Sequence, residues 1–421
     1  MSDCVLRAIE PVDVIHLRGN RLFEGSGDGV AIMPPWPSLF AGALRSHMLA
    51  QSGAVRAYVC GEGSLPEPLR QALGPSHAAR SEGRMRVAWA GFEVSIDGKR
   101  DFCMPAPADL VCFGVTRGPQ LLPEHVDRLR PGSLDHLAEK RLVCAGPQRT
   151  PALREFPLPR RDASDKPSSG WFLRAKGIAA WQAGECPPPG DFIHASSLWA
   201  DDPRLGIAID RKTRTVRTGL LYTSRAIALR PGVRFCVGLH GVDDSLVPRD
   251  GLLRLGGDGR GATIHKTSPP ETAATPPWAR LPSGKSDDFV LWLVTPGAFP
   301  GGWRLPGRWE DDGTWRPVPG FAARLRSAVV GRYEVVSGWS LADGRHGAPK
   351  PALRIVPAGS VYWFRRQEGS FEALRPLLGE GLGNLEPPSD EGIRPAGDRT
   401  SVWRSRAQEG FGSVWFGDVE A

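Results

Sequence analysis

The run Leu252-Leu253-Arg254-Leu255-Gly256-Gly257-Asp258-Gly259-Arg260-Gly261-Ala262-Thr263-Ile264 enters a glycine-rich turn as an apolar, strand-like segment and leaves it as another. Four glycines within six residues allow positive φ and expose backbone N–H groups with no Cβ in the way. An anionic chain can therefore approach closely while Arg260 supplies charge. No helical pattern follows. A dinucleotide fingerprint needs its glycines to open a helix, and a mononucleotide P-loop ends in Gly-Lys-Ser/Thr; Arg260-Gly261-Ala262 does neither. The turn points to a polynucleotide rather than a nucleotide, and read in isolation it also fits a plain tight hairpin.

A chain of 421 residues is long enough for two domains with an insertion. The 40 prolines and 51 glycines break it into short elements, so strands should outnumber long helices. Lys and Arg number 53 against 46 Asp and Glu, and most of the cations are Arg, which suits bidentate phosphate contacts and stacking on bases. The cysteines, at 4, 60, 103, 112, 144, 186 and 236, form no CxxC pair and no His cluster at ligand spacing. This argues against a structural zinc site and for reduced packing residues. Neither a signal core at Met1 to Ala8 nor a long apolar run is present, so a soluble cytoplasmic protein is expected.

The pattern predicts a first extended segment from Val5 to Arg18, ending at Gly19. After Pro34-Pro35-Trp36-Pro37, Ser38 is a candidate N-cap, and Phe40, Ala43, Leu44 and Met48 form one stripe of a helix running to about Gln51. The opposite side, with Gly42, Arg45 and Ser46, is small or basic and offers a surface for another backbone. Strands are expected at Met85 to Ile96, Leu110 to Val115, Val233 to Leu239, Phe289 to Val294, Ser360 to Arg365 and Ser413 to Phe416. Helical patches are expected at Glu124 to Arg130, Asp135 to Arg141, Phe321 to Val330 and Phe371 to Leu378. Residues 116–205 read as a proline-rich insertion, and 267–288 as a proline-rich linker. The division is then 1–266, linker, 289–421.

Between Arg204 and Arg234 eight residues are basic (Arg204, Arg211, Lys212, Arg214, Arg217, Arg225, Arg230, Arg234) and only Asp210 is acidic. Interleaved Thr and Gly between apolar strands make this a projecting hairpin with the footprint of a phosphate-binding surface, or a solvated edge strand that uses charge against aggregation. Further along, Trp339 beside glycine offers a stacking face, though most of the 14 tryptophans belong in cores. Lys350 and Arg354 are stronger candidates for a nucleic-acid contact.

Seven segments taken in order are more specific than any one. They are Pro35-Trp36-Pro37-Ser38-Leu39-Phe40-Ala41-Gly42-Ala43-Leu44-Arg45, Leu221-Tyr222-Thr223-Ser224, Gly256-Gly257-Asp258-Gly259-Arg260, Leu293-Val294-Thr295-Pro296, Gly301-Gly302-Trp303, Ser337-Gly338-Trp339 and Pro357-Ala358-Gly359-Ser360-Val361-Tyr362. Through them the chain resembles, over nearly its whole length, the third RAMP subunit of the Cmr complex, the type III-B CRISPR effector. The resemblance implies an α+β fold of tandem ferredoxin-like (RRM-like) domains with a glycine-rich loop. It implies no catalytic centre, no metal and no cofactor. The implied partners are the 5′ tag of the guide RNA, the large cyclase/polymerase-like subunit and the RAMP backbone, with target RNA met indirectly. On this resemblance Gly256, Gly257, Asp258, Gly259 and Arg260 fall on the glycine-rich loop, and Arg211, Lys212, Arg214, Arg217, Ser224 and Arg225 on or near the hairpin that meets the guide. Arg45, Trp339, Lys350 and Arg354 complete the expected RNA-binding set. The insertion at 116–205 is the least family-like part.

Two rivals stand beside that reading: a purely structural bridge whose basic surface merely neutralises RNA held by neighbours, and, the stronger, an enzyme, because related RAMP folds cut guide precursors with a histidine on or near the first helix. His47 lies in that helix, but the wheel sets it among Phe40, Ala43 and Leu44, as a packed residue rather than a general base. His16 and His240 sit on strand-like segments with no evident acid or lysine partner.

Overall fold

The computed structural model of the chain describes residues 4–17, 28–29, 32–61, 63–77, 82–96, 98–116, 118, 120–132, 155–158, 166–269, 275–340, 347–386 and 400–419. The fold is mixed α/β with mostly antiparallel sheets. It divides into two compact units that interleave along the chain. One takes 1–100, 195–268 and 335–353, the other 101–194, 269–334 and 354–421.

In the first unit β1 (Val5–Pro11) is central. Around it stand β2 (Arg86–Ile96), β5 (Val233–His240), β6 (Asp250–Arg254) and β7 (Gly261–Lys266), in the order β6-β7-β1-β5-β2 and antiparallel throughout. Between β2 and β5 in sequence come β3 (Trp199–Ile209) and β4 (Val216–Leu229), which pair as a long ribbon. Helix α1 (Pro37–Gln51) buries Pro37, Phe40, Ala41, Leu44, Arg45, Met48 and Leu49, a stripe at helical spacing. Phe40 meets Phe235 edge-on at 5.3 Å. The helix opens at Trp36 with Pro37 at its first position, not at Ser38; proline suits that place because the amide it lacks would have had no helical partner. Arg7 on β1 is fully buried. It donates to the carbonyls of Val247 (2.8 Å) and Pro248 (2.5 Å) and pairs with Asp244 at 2.8 Å. The loop feeding β6, and so the glycine-rich turn, is thereby fixed.

The second unit is built on β8 (Asp288–Leu293), β9 (Ala322–Val329), β10 (Val361–Glu368) and β11 (Val414–Asp418), with two short strands, Arg308–Trp309 and Thr314–Arg316, completing an antiparallel sheet beyond β9. On one face Phe289 stacks on Phe364 at 5.5 Å and meets Phe371 at 5.3 Å. On the other, Trp292 touches Trp415 at 5.4 Å and Trp181 at 5.3 Å, the latter carried by helix α2 (Ala175–Gln182). Beneath lies a buried knot. The Asp109 carboxylate accepts from Trp181 Nε1 at 2.9 Å and pairs with Arg128 Nε at 3.2 Å, while Arg128 also donates to the carbonyls of Glu185 and Asp418. Burial pushes the Asp109 carboxyl up despite that partner.

Several expectations are corrected here. Phe321 to Val330 is strand β9, because Arg324 and Arg326 point outward and Leu325 and Ser327 inward, a period of two that its alanines had disguised as helix. Glu124 to Arg130 contains a strand, His125–Arg128. The described part of the supposed insertion up to His194 contributes to the core: Trp171, Phe172, Leu173, Ile178 and Trp181 are all buried. Within the supposed linker Trp278 is buried, its ring 6.4 Å from that of Phe102. Asp135 to Arg141 lies outside the described residues. Among the described residues no helix is long and apolar enough to cross a membrane, and no cysteine forms a disulfide.

His240 closes β5 opposite Arg86, and its pKa is lowered to about 4 by burial and by that neighbouring cation. A depressed histidine binds protons less readily folded than unfolded, so its contribution is complete above the ordinary value near 6.5 and is lost as pH falls from there towards 4. Between pH 7.5 and pH 5 this one group should cost roughly 2 kcal/mol. Urea unfolding followed by tryptophan fluorescence should show that loss in the native protein, and His240→Gln should flatten the dependence.

Candidate nucleic-acid interface

The first unit carries a groove of about 1790 Å³. Its floor and walls come from four places. From α1 and the segment leading into it come Ile32, Pro35 and Trp36, then Ser38, Leu39, Gly42, Ala43, Ser46, His47 and Ala50 on the side of the helix turned away from the core. The remaining walls are the segment Val12 to Leu17, the end of β6 with the glycine-rich turn, and Ser337, Gly338 and Trp339.

The turn is held against the 12–17 segment by backbone. Val12 N donates to Gly261 O at 3.1 Å and Gly257 N donates to His16 O at 2.9 Å. Ile15 in turn exchanges two hydrogen bonds with Ile227 of the ribbon, each 2.9 Å. The close approach depends on Gly256, whose φ of +79° and ψ of −165° lie in a region open essentially only to glycine. A Cβ there would sit 2.9 Å from His16 O. Asp258 (φ 59°) and Gly259 (φ 65°) complete a left-handed turn, and at Gly259 a Cβ would meet nothing within 4 Å.

Arg260 lines the groove and pairs with Asp13 at 3.1 Å, its side chain 29% exposed and that of Asp13 62%. Arg254, on the exposed side of β6, is the groove's second cation. It is absent from the residues expected above although it lies in the run that enters the glycine-rich turn, where alternation with buried Leu253 and Leu255 is the signal that it faces outward. Trp339 is 57% exposed and lines the groove, so this indole is not one of the core tryptophans.

The other expected residues scatter. Arg45 is corrected: it lies on the buried stripe of α1 and donates to Met85 O at 3.3 Å. The small-residue face that it was assigned to exists, one position round, as Gly42, Ala43 and Ser46. His47 is also corrected, because it turns towards the groove rather than the core, although its Nε2 is shielded and without a hydrogen-bond partner. His16 borders the same groove and its Nδ1 lies 3.4 Å from Ser224 Oγ, which brings Ser224 to the site's edge. Arg211, Lys212 and Arg214 are exposed at the ribbon tip, away from the groove lining. There Asp210 Oδ1 accepts from the amides of Lys212 and Thr213 and so lowers its own pKa. Arg225 is exposed and 3.8 Å from Asp201; the Arg217 side chain lies outside the described residues. Lys350 N donates to Gly338 O at 2.7 Å, setting that residue beside the Trp339 wall. Arg354 belongs to the second unit, with its guanidinium 4.8 Å above the exposed Tyr333 ring. Among the described residues no group of three or more His, Cys, Asp or Glu could hold a metal.

A family model described as CRISPR-associated protein (Cas_Cmr3) matches residues 7–386. The chain belongs to this family. It is a Cmr3-like subunit of a type III-B CRISPR effector. No curated protein matches it. Among solved structures it is similar to a chain of "Type III-B Cmr-beta bound to cognate target RNA and AMPPnP, state 1", at 16% identity, TM-score 0.42, covering 85% of this chain and 86% of that one. A second, of Type III-B Cmr-beta bound to cognate target RNA, gives the same values.

Gly256→Ala sets a Cβ against a carbonyl in a glycine-only conformation, whereas Gly259→Ala meets open space and bears only the left-handed cost of about 1–2 kcal/mol. Amide hydrogen exchange of the Gly257 N–H should therefore accelerate strongly in Gly256→Ala and little in Gly259→Ala.

Proposed function

We propose that this groove anchors the 5′ tag of the guide RNA without cutting it, and that the chain bridges the large cyclase/polymerase-like subunit to the RAMP backbone. The observation that carries the reading is the meeting, in one groove, of a glycine turn with two arginines, a small-residue helix face and an exposed tryptophan. Turn and arginines suit phosphate, the flat helix face admits a backbone, and the indole suits a splayed base. Membership of the Cas_Cmr3 family supports the guide as the RNA. The order β1, α1, β2 with antiparallel neighbours supports a ferredoxin-like reading of the first unit, and the cytoplasm as the place of work follows from the RNA partner.

A second reading, metal-independent cleavage of guide precursors with His47 as general base, is favoured by one observation: His16 and His47 border the same groove as both arginines. Against it, the shielded Nε2 of His47 is not presented to a 2′-hydroxyl, and His16 Nδ1 is already near Ser224.

Filter binding of tagged guide to the assembled effector tests the anchor. Arg254→Ala and Arg260→Ala should each weaken binding by about 1–3 kcal/mol, for tagged and scrambled guides alike, because both arginines are read as phosphate contacts. Equal, unchanged binding of both guides would remove the reading. Fragments of labelled repeat RNA that appear without metal and vanish in His47→Ala would replace it with the enzyme.

A further inference from the structure

Among the described residues Asp13 is the one carboxylate lining a groove read as a seat for a polyanion. Its position is enforced. The flanking backbone is fastened at Val12 N to Gly261 O, at Ile15 to Ile227 and at His16 O to Gly257 N, so the acid is held facing the turn that carries its partner. Its Oδ2 lies 3.1 Å from Arg260 Nη1, in the kind of contact a phosphate oxygen would make. The other charges nearby are Arg254 in the groove, Asp258 exposed in the turn, and Arg204 on the ribbon, which senses Asp13 while paired with Asp202 at 2.9 Å.

We propose that Asp13 is a built-in stand-in for phosphate: it occupies Arg260 in the empty groove and must be displaced by the RNA backbone. This rests on the reading of the groove as the guide's seat. A strand entering there loses the Arg260–Asp13 pair and brings phosphate beside a carboxylate, and like charges at such range repel. Any RNA meets that cost. Being common to every strand, it leaves the ratio of affinities unchanged but lowers all of them, so that at a given RNA concentration strands that fit by charge alone go unbound while one that also gains base contacts along the Trp339 and α1 walls stays seated. Arg254 lies outside that pair and offers the first electrostatic foothold.

The test measures binding of tagged and scrambled-tag guides to effector assembled with native chain, Asp13→Asn, Arg260→Gln, or both. Asp13 is exposed and Asn is isosteric, so folding is preserved. Asp13→Asn should tighten both guides by a similar factor, about threefold to tenfold, leaving their ratio unchanged, and the gain should vanish in the Arg260→Gln background. Weaker binding of both guides in Asp13→Asn would overturn the proposal by making Asp13 an orienting partner of Arg260. No change, or a gain that persists without Arg260, would overturn it as well, the latter assigning the effect to Arg204 and the general field. If Arg260→Gln itself leaves tagged-guide binding intact, it is the seat that fails, and the stand-in falls with it.

Discussion

Two main-chain hydrogen bonds, Val12 N to Gly261 O and Gly257 N to His16 O, hold the groove of the first unit in register. They draw the tail of the central strand along the glycine-rich turn so tightly that a side chain at 256 has no room. The groove's charged side chains are hung from that seam. Asp13 and His16 project from one side of it, Arg254 and Arg260 from the other, and Ile15 ties it to the root of the ribbon. The fully buried Arg7, four residues before Pro11, clamps the loop that delivers β6. One strand therefore positions the turn from both of its ends.

Much of this was legible in the residues. Strong alternation at Val233 to Leu239 and the apolar run at Phe289 gave real strands, because a half-buried or fully buried sheet leaves a period that no other constraint masks. The turn itself was legible because glycine density has few physical explanations. What escaped did so where tertiary packing overrode pattern. In β9, Ala322, Ala323 and Ala328 carry high helix propensity, and only the outward arginines betray the strand. In α1 the stripe was read one position off, since Ala43 looks as apolar as Ala41 although only Ala41 is buried. That single slip put Arg45 on the surface and His47 in the core, the reverse of where they lie. Asp13 left no signal of its own; an acid is conspicuous only once its neighbour across 247 residues is known.

Tryptophan shows the same limit from the other side. Trp89, Trp181, Trp292, Trp315, Trp363 and Trp415 are among the largest fully buried side chains, as composition led one to expect, and Asp109 with Arg128 fixes one of them through its indole N–H. Trp339 departs from them because of its partners across the hairpin, Pro349 opposite and Gly347 against the indole nitrogen. Those residues are too small or too rigid to cover a ring. Exposure of this indole is thus written in the opposing strand, not in the Gly-Trp pair that attracted notice.

The distribution of charge completes the logic. The ribbon tip concentrates Arg211, Lys212 and Arg214 in the open, while among the described residues the groove is lined by two arginines, one already countered by Asp13. Long-range attraction falls off within a Debye length of about 10 Å and is blind to sequence, so cations meant only for capture belong on an exposed projection. A groove meant to discriminate needs the opposite balance. With its net charge kept low, the apolar wall formed by Trp36, Leu39, Leu252 and Trp339 decides the outcome, because contacts to bases differ between sequences and contacts to phosphate do not. On the proposed reading, capture and selection fall to different residues of one unit, linked by the seam at Ile15.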